Sequence, residues 1–248
     1  MTNSTILYRE FDLDALTMGV VTKNRMGGKS VAPLYNRNRS IFMQTPAMPT
    51  PFGLSEYTPE NGQIKYSIDL SYRHLETDPR VATFRNLIDG IDNKMITLGV
   101  ENSIAWFGKS LSKDVVTELY RPLLKLPKQA DKYMPTTKCK IRTNARDGTF
   151  NLQAFDSEKK SFDMTNFVSG ATVKAIVEFA PVWFMNKQFG LTLNLIQLEV
   201  VSLPDLRDFG YSGFSFQQDD VDEYDEAVAK AGPILMMTDI HGDEEEMI

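Results

Sequence analysis

Between Val81 and Leu98 the apolar residues Val81, Phe84, Ile88, Ile91, Met95 and Leu98 recur at steps of three and four. On either side of this block, apolar residues instead alternate with polar ones or form short runs broken by glycine and proline. Steps of three and four gather side chains on one stripe of a helix, whereas alternation gathers them on one face of a strand. Strands followed by helices and then by strands again predict an α+β chain. Asp78-Pro79 supplies a start signal for the first helix. A second helix is expected to begin at Ser112 and run through Val115, Val116, Leu119 and Tyr120 before Pro122 interferes. Both helices read as inserted between strands, over about 78–124.

The clearest strand is YSIDLSY, in which Tyr66, Ile68, Leu70 and Tyr72 alternate with Ser67, Asp69 and Ser71, the pattern of a half-buried strand. The first sixty residues read as short strands and turns, with LTMGVVTKN and KSVAPLYN pairing as a hairpin about Met26-Gly27-Gly28. After Pro135 strands return in TKCKIRTN, TFNLQAF, ATVKAIVEFAPVWFM and FGLTLNLIQLEVV, separated by turns at Asp147-Gly148, Ser169-Gly170 and Asn186 to Gly190. In the last of these the apolar register switches from Leu191, Leu193 and Leu195 to Ile196, Leu198 and Val200. A β-bulge accounts for the switch, and so does burial on both faces.

Charge divides the chain. From Asp219 to Ile248 there are 11 acids against Lys230, a net of −10, and the remainder carries 26 bases and 22 acids, a net of +4. Such a division fits a nucleic-acid-binding body with a competing acidic arm, and it fits simple solubilisation. The tail is too poor in apolar residues to form its own core and is expected to be flexible. Its Ile234-Leu235-Met236-Met237 segment and terminal Met247-Ile248 offer contacts to partner proteins. No apolar run is long enough to span a bilayer, and acids stand near the N-terminus where a signal peptide needs an apolar stretch, so a soluble, intracellular protein without membrane attachment is expected. The single cysteine, Cys139, excludes an intrachain disulfide, and with only two histidines the chain lacks the ligands of a typical structural zinc site.

Two stretches concentrate base. Lys23, Arg25, Lys29, Arg37 and Arg39 occur with no acid among them and with Tyr35 and Phe42 nearby. Between Tyr120 and Arg146 eight bases face only Asp131. Within that stretch Lys138, Lys140 and Arg142 alternate with Cys139 and Ile141, so a strand there sends three cations to one face and the apolar pair to the core. An unpaired nucleic-acid strand presents a line of phosphates and a series of exposed base faces, which cations and aromatic rings complement. Tyr133, Trp183 and Phe184 add to the aromatic candidates, while Trp106 and Phe107 are expected in the core.

Catalytic signatures are missing: there is no Gly-rich phosphate loop, no G-x-S-x-G and no H-E-x-x-H. His74 and His241 have no evident nucleophile or metal partner, and Cys139 reads as a structural thiol. Asp69 and Asp89 are isolated carboxylates that a metal-dependent activity would have to use. The expectation is a protein that is not an enzyme and needs no cofactor.

Three segments carry a resemblance: IFMQTPAMPTPFGLSEY (41–57), GATVKAIVEFAPVWFMNKQFGLTLNLIQLEVV (170–201) and the acidic tail. Together they resemble the single-stranded DNA-binding proteins of DNA viruses and bacteriophages. The resemblance implies an oligonucleotide/oligosaccharide-binding (OB) antiparallel β-barrel over 1–218, interrupted by the helices, and a tail over 219–248. The middle segment would be the closing hairpin, with a turn containing Gly190. The family implies non-sequence-specific binding of single-stranded DNA in viral replication or recombination, in host cytoplasm or nucleus. It also implies replication proteins as partners of the tail, and self-association into a homo-oligomer. Many phage tails end in an aromatic residue, whereas this one ends Glu246-Met247-Ile248. Lys138, Lys140 and Arg142 are expected on phosphates, helped by Arg37, Arg39, Arg121 and Lys132, with Tyr35, Phe42 and Trp183 stacking on bases. The alternative is a structural or scaffold protein, such as a minor virion component, that binds no nucleic acid.

Overall fold

The fold is described from a computed structural model for residues 5–23, 27–60, 62–130 and 132–205; the tail expected over 219–248 lies outside these described residues. In chain order the strands are β1 (Ile6–Leu7), β2 (Leu16–Lys23), β3 (Lys29–Tyr35), β4 (Phe42–Gln44), β5 (Met48–Pro49), β6 (Ser55–Tyr57) and β7 (Lys65–Ser71). Helices α1 (Pro79–Glu101), α2 (Ser103–Phe107) and α3 (Lys113–Leu119) follow. The remaining strands are β8 (Tyr120–Arg121), β9 (Leu124–Lys125), β10 (Thr136–Ile141), β11 (Gln153–Phe155), β12 (Thr172–Phe179), β13 (Val182–Met185), β14 (Gln188–Gly190) and β15 (Leu193–Ser202). Strands, inserted helices and strands again make the α+β order that the periodicities predict.

The larger sheet has the order β1-β4-β12-β15-β10-β7-β6, with β5 added to β12, β9 to β10 and β11 to β15; the smaller runs β2-β3-β13-β14-β8. Among the described residues neither sheet closes on itself, and β1 with β4, β10 with β15, β11 with β15 and β8 with β14 are parallel pairs. The antiparallel barrel expected from the sequence is therefore corrected to two open sheets, both of them mixed. The hairpin over 172–202 supplies the reason. Pro181 has no N–H to donate, and it divides β12 in the larger sheet from β13 in the smaller. On the returning arm Leu191-Thr192 divides β14 from β15, and Ala180 N–H donates to Thr192 O at the corner (2.9 Å). One hairpin thus changes sheet on both arms, and the two sheets share one apolar core.

The register switch in the last strand is a bulge. Ile176 pairs with Gln197 but Val177 pairs with Leu195, which leaves Ile196 unopposed and turns Leu193 and Leu195 on one side of it, and Leu198 and Val200 on the other, to the same core. The turn expected to include Gly190 lies earlier: Asn186 and Lys187 adopt the two positive φ angles of a tight hairpin, and Gly190 is a strand residue. The β2–β3 hairpin forms as expected, with Lys23 opposite Lys29.

Helix α1 begins where Asp78 accepts a hydrogen bond from Arg80 N (2.9 Å) with Pro79 at the first turn. All six apolar residues of its expected stripe are buried, Phe84 stacking on Tyr72 (centroids 6.2 Å apart). Full burial of such side chains contributes roughly 1.5–3 kcal/mol each, so this stripe fixes the helices against the sheets. In α3 Val116 is the buried residue and Val115 is exposed, a correction to the expected apolar face. Strand β7 differs as well: Ser67, Asp69 and Ser71 are buried along with Ile68 and Leu70, because the side chains of β10 fold over its polar face. Among the described residues no helix is long and apolar enough to cross a membrane.

Candidate nucleic-acid interface

Strand β10 places Cys139 and Ile141 in the core and Lys138 and Lys140 on the opposite face, as alternation requires, and Arg142 follows directly after its end. Burial pushes the Cys139 thiol up to about 12, which leaves it unreactive at neutral pH. Register carries the outer face across the sheet: Ser67, Lys140, Asn194, Glu178 and Phe42 occupy one row on β7, β10, β15, β12 and β4. Three strand spacings separate Phe42 from Lys140, about 14 Å. Two of these three cations already have carboxylate partners. Lys138 Nζ lies 3.1 Å from Asp69 Oδ2 and donates to Ser67 Oγ (3.2 Å), and Arg142 lies 2.9 Å from Glu178 Oε2. Lys140 has no ion pair among the described residues.

The smaller sheet brings Trp183 to the same place. Trp183 pairs with Gly190 on β14, and Gly190 pairs with Arg121 on β8. A Cβ at position 190 would lie 2.7 Å from Trp183 Cζ2, so glycine is what lets the indole lie against that strand. Arg121 is held by its Nε, which donates to Gln188 Oε1 (2.8 Å). Trp183, Arg121, Lys125, Lys138 and Lys140 together line a depression of about 140 Å³, and among the described residues no carboxylate lines it. Lys140 is held below the ordinary lysine value by partial burial and then by the charges of Lys65 and Lys138. Lys125 is lowered by burial and by Lys138 and Lys140, against an opposing pull from Asp69. Cations that depress one another in this way gain from any anion placed among them.

Asp92, in α1, positions part of this constellation. Its Oδ1 accepts from Tyr120 Oη (2.7 Å) and Leu123 N (2.9 Å), and its Oδ2 from Leu124 N (3.2 Å). The carboxylate thereby ties to the helix the short stretch that carries Arg121 and Lys125. Burial raises its pKa, opposed by the three donors.

Four of the residues selected from the sequence meet at the depression: Arg121, Lys138, Lys140 and Trp183. Arg142 and Phe42 lie further along the same outer face. Arg37 and Arg39 are exposed on and beside the tight turn after β3, and neither lines the depression. Tyr35 is half-buried, its ring 4.8 Å from that of Phe11 and its hydroxyl accepting from Asp12 N (3.0 Å), so it braces the fold at this position. Lys132 stands 5.3 Å from the Tyr133 ring centre in the loop before β10. Asp69 and Asp89 each face a cation, Lys138 and Arg85. Lys125, one of the eight bases between Tyr120 and Arg146, and Lys65 are not among the expected contacts. Alternation through Ser67 and Asp69 places Lys65 on the polar face of β7, a signal present in the sequence; Lys125 stands on a two-residue strand that no periodicity marks.

A family model described as a family of unknown function (DUF5871) matches residues 76–216. The chain belongs to this family. The DUF5871 segment starts just before α1 and includes Arg121, Lys125, Lys138, Lys140 and Trp183. None of the curated proteins matches the chain in sequence. Among solved structures, the chain is similar to the single-stranded DNA-binding protein from bacteriophage Enc34 in complex with ssDNA, at 12% identity and a TM-score of 0.44, covering 75% of this chain and 96% of that one. It is also similar to gp2.5, a single-stranded DNA binding protein encoded by bacteriophage T7, at 14% identity and a TM-score of 0.44, covering 66% of this chain and 93% of that one.

Proposed function

We propose that this protein binds single-stranded DNA at the basic depression, with phosphates on Arg121, Lys125, Lys138 and Lys140 and a base against Trp183. The observation that carries this reading is the convergence of four cations and one indole on a depression that no carboxylate lines among the described residues. Cations follow the backbone, and an indole face accepts any unpaired base, so the binding is not sequence-specific. Duplex bases are already stacked and offer no face to the indole. Such a protein covers strands while duplexes are open, in viral DNA replication or recombination. The fold is read as OB-like, a partly open version in which one bent hairpin joins the two sheets.

Tryptophan fluorescence tests this directly. The chain has two tryptophans, and Trp106 is only 2% exposed, so quenching by a ligand reports on Trp183. Oligo-dT is expected to quench the emission and duplex DNA of equal phosphate concentration to leave it unchanged. Trp183→Ala should weaken oligo-dT binding by about five- to 150-fold, the equivalent of ~1–3 kcal/mol for one stacked base. No quenching together with equal affinity for single and double strands would refute the proposal.

The depressed lysines add a pH dependence. Phosphate favours the charged amines, so the complex binds more protons than the free protein, and affinity falls as pH rises through the lowered pKa values of Lys125 and Lys140. Titrations at constant salt should show the decline beginning below the ordinary lysine value of 10.5. A flat profile across that range would remove these two amines from the site.

A further inference from the structure

Four large apolar side chains are left in water together beside the basic depression: Phe52 is 59% exposed, Leu126 73%, Tyr133 50% and Met134 46%. They line a second depression of about 280 Å³. Exposed apolar groups scattered singly need no explanation, but a cluster marks a binding surface. Two features bear on what it binds. Lys125 lines both depressions, so the second continues the first, and among the described residues this cation is the only charged group that lines it. Lys132, 5.3 Å from the Tyr133 ring centre, adds a further cation at its edge.

The platform is held in place. Phe52 sits in a turn closed by Gly53 N donating to Thr50 O (3.2 Å), and Gly170 N donates to the same carbonyl (2.9 Å). Ser169 Oγ donates to Pro51 O. Gly53 has φ +57°, and a Cβ there would lie 2.8 Å from Ser169 N, so the turn lies directly on the 168–170 backbone. A turn pinned in this way removes the backbone share of the ordering cost when a ligand arrives.

We infer that Phe52 and Tyr133 form a second base-stacking subsite on the track of the strand that enters at Trp183. This rests on the function proposed above. Along β10, Lys140 and Thr136 are four residues apart, about 13 Å. A strand at the stacked spacing of about 3.4 Å covers that distance in roughly four nucleotides. An oligonucleotide too short to span both depressions therefore uses only the first.

Oligo-dT of two lengths, about three and about twelve nucleotides, separates the subsites. For the long oligonucleotide, Phe52→Ala with Tyr133→Ala is expected to lose about fivefold or more in affinity for each ring removed. For the short one it is expected to change little, and both lengths should still quench Trp183. Phe52→Tyr should retain the affinity of the unaltered chain. If the double variant binds the long oligonucleotide as tightly as the unaltered chain while Trp183 is still quenched, the second subsite is refuted and the first stands. If neither length quenches Trp183 in the unaltered chain, both fall. Because the two rings are exposed, thermal unfolding of the double variant should match that of the unaltered chain, and a loss of binding accompanied by unfolding would refute the subsite unless Phe52→Tyr with Tyr133→Phe restores both.

Discussion

Replacing Arg121, Lys125 and Lys140 together by alanine is expected to weaken single-strand binding about 50-fold at roughly 0.15 M salt and to reduce the slope of log K against log salt by about 2. Each phosphate contact to a single strand contributes about 0.7 to that slope. Extrapolated from a reference of about 1 M, counterion release is then worth close to fourfold per contact at 0.15 M, and three contacts multiply. These three are chosen over the full β10 ladder because Lys138 and Arg142 already share their charge with Asp69 and Glu178. Removing Lys138 also leaves the buried Asp69 carboxylate without its cation, so a loss of binding there would mix with a loss of stability. The measurement is anisotropy of labelled oligo-dT across a salt series. If affinity and slope are unchanged, the depression is not where the strand binds.

The same pairings explain a second expectation. Glu178 offsets Arg142 at 2.9 Å on the outer face, within the row that leads to Phe42. Glu178→Gln should release that guanidinium and tighten binding modestly, by up to the fourfold of one contact. A weakened complex would show that Glu178 positions Arg142 for the strand and does not compete with it.

What could be read before the fold was known depended on periodicity. The α1 stripe and the β10 ladder are local patterns, and each side chain in them faces the direction its spacing requires. The Ile196 bulge was legible because a change of register inside one apolar strand has few physical causes, and pairing across β12 identifies which one applies. Closure was not legible. Whether strands close into a barrel depends on which pairs run parallel and on where a strand leaves its sheet, and Pro181 decides the second through a missing donor. The depression divides the same way. Lys138 and Lys140 follow from alternation, but Arg121 and Lys125 reach them from strands of two residues each, brought there by tertiary contacts. Gly190 resembles a turn glycine until the indole lying against it is seen.

Those tertiary contacts converge on one carboxylate. Asp92→Ala leaves the Tyr120 hydroxyl and the Leu123 and Leu124 amides without their acceptor in a buried site. An unpaired buried donor costs about 1–3 kcal/mol, so three cost roughly 3 kcal/mol or more. For a domain of this size each kcal/mol shifts Tm by about 2–4 °C, which predicts a fall of roughly 6–12 °C. Asp92→Asn keeps one acceptor oxygen and should fall between the two. Its deficit should also depend on pH. Because burial raises the folded pKa of Asp92 above the ordinary 3.8, the aspartate contributes most to stability below that value, and part of the contribution is lost as pH rises through the folded pKa. The asparagine does not titrate, so the gap between the two chains should narrow as pH rises through that window. In the folded fraction of Asp92→Ala, Arg121 and Lys125 lose their tether, so single-strand affinity should fall as well although Asp92 does not line the depression. An alanine variant that melts with the unaltered chain and binds as tightly would mean that β8 and β9 are held by the sheets alone.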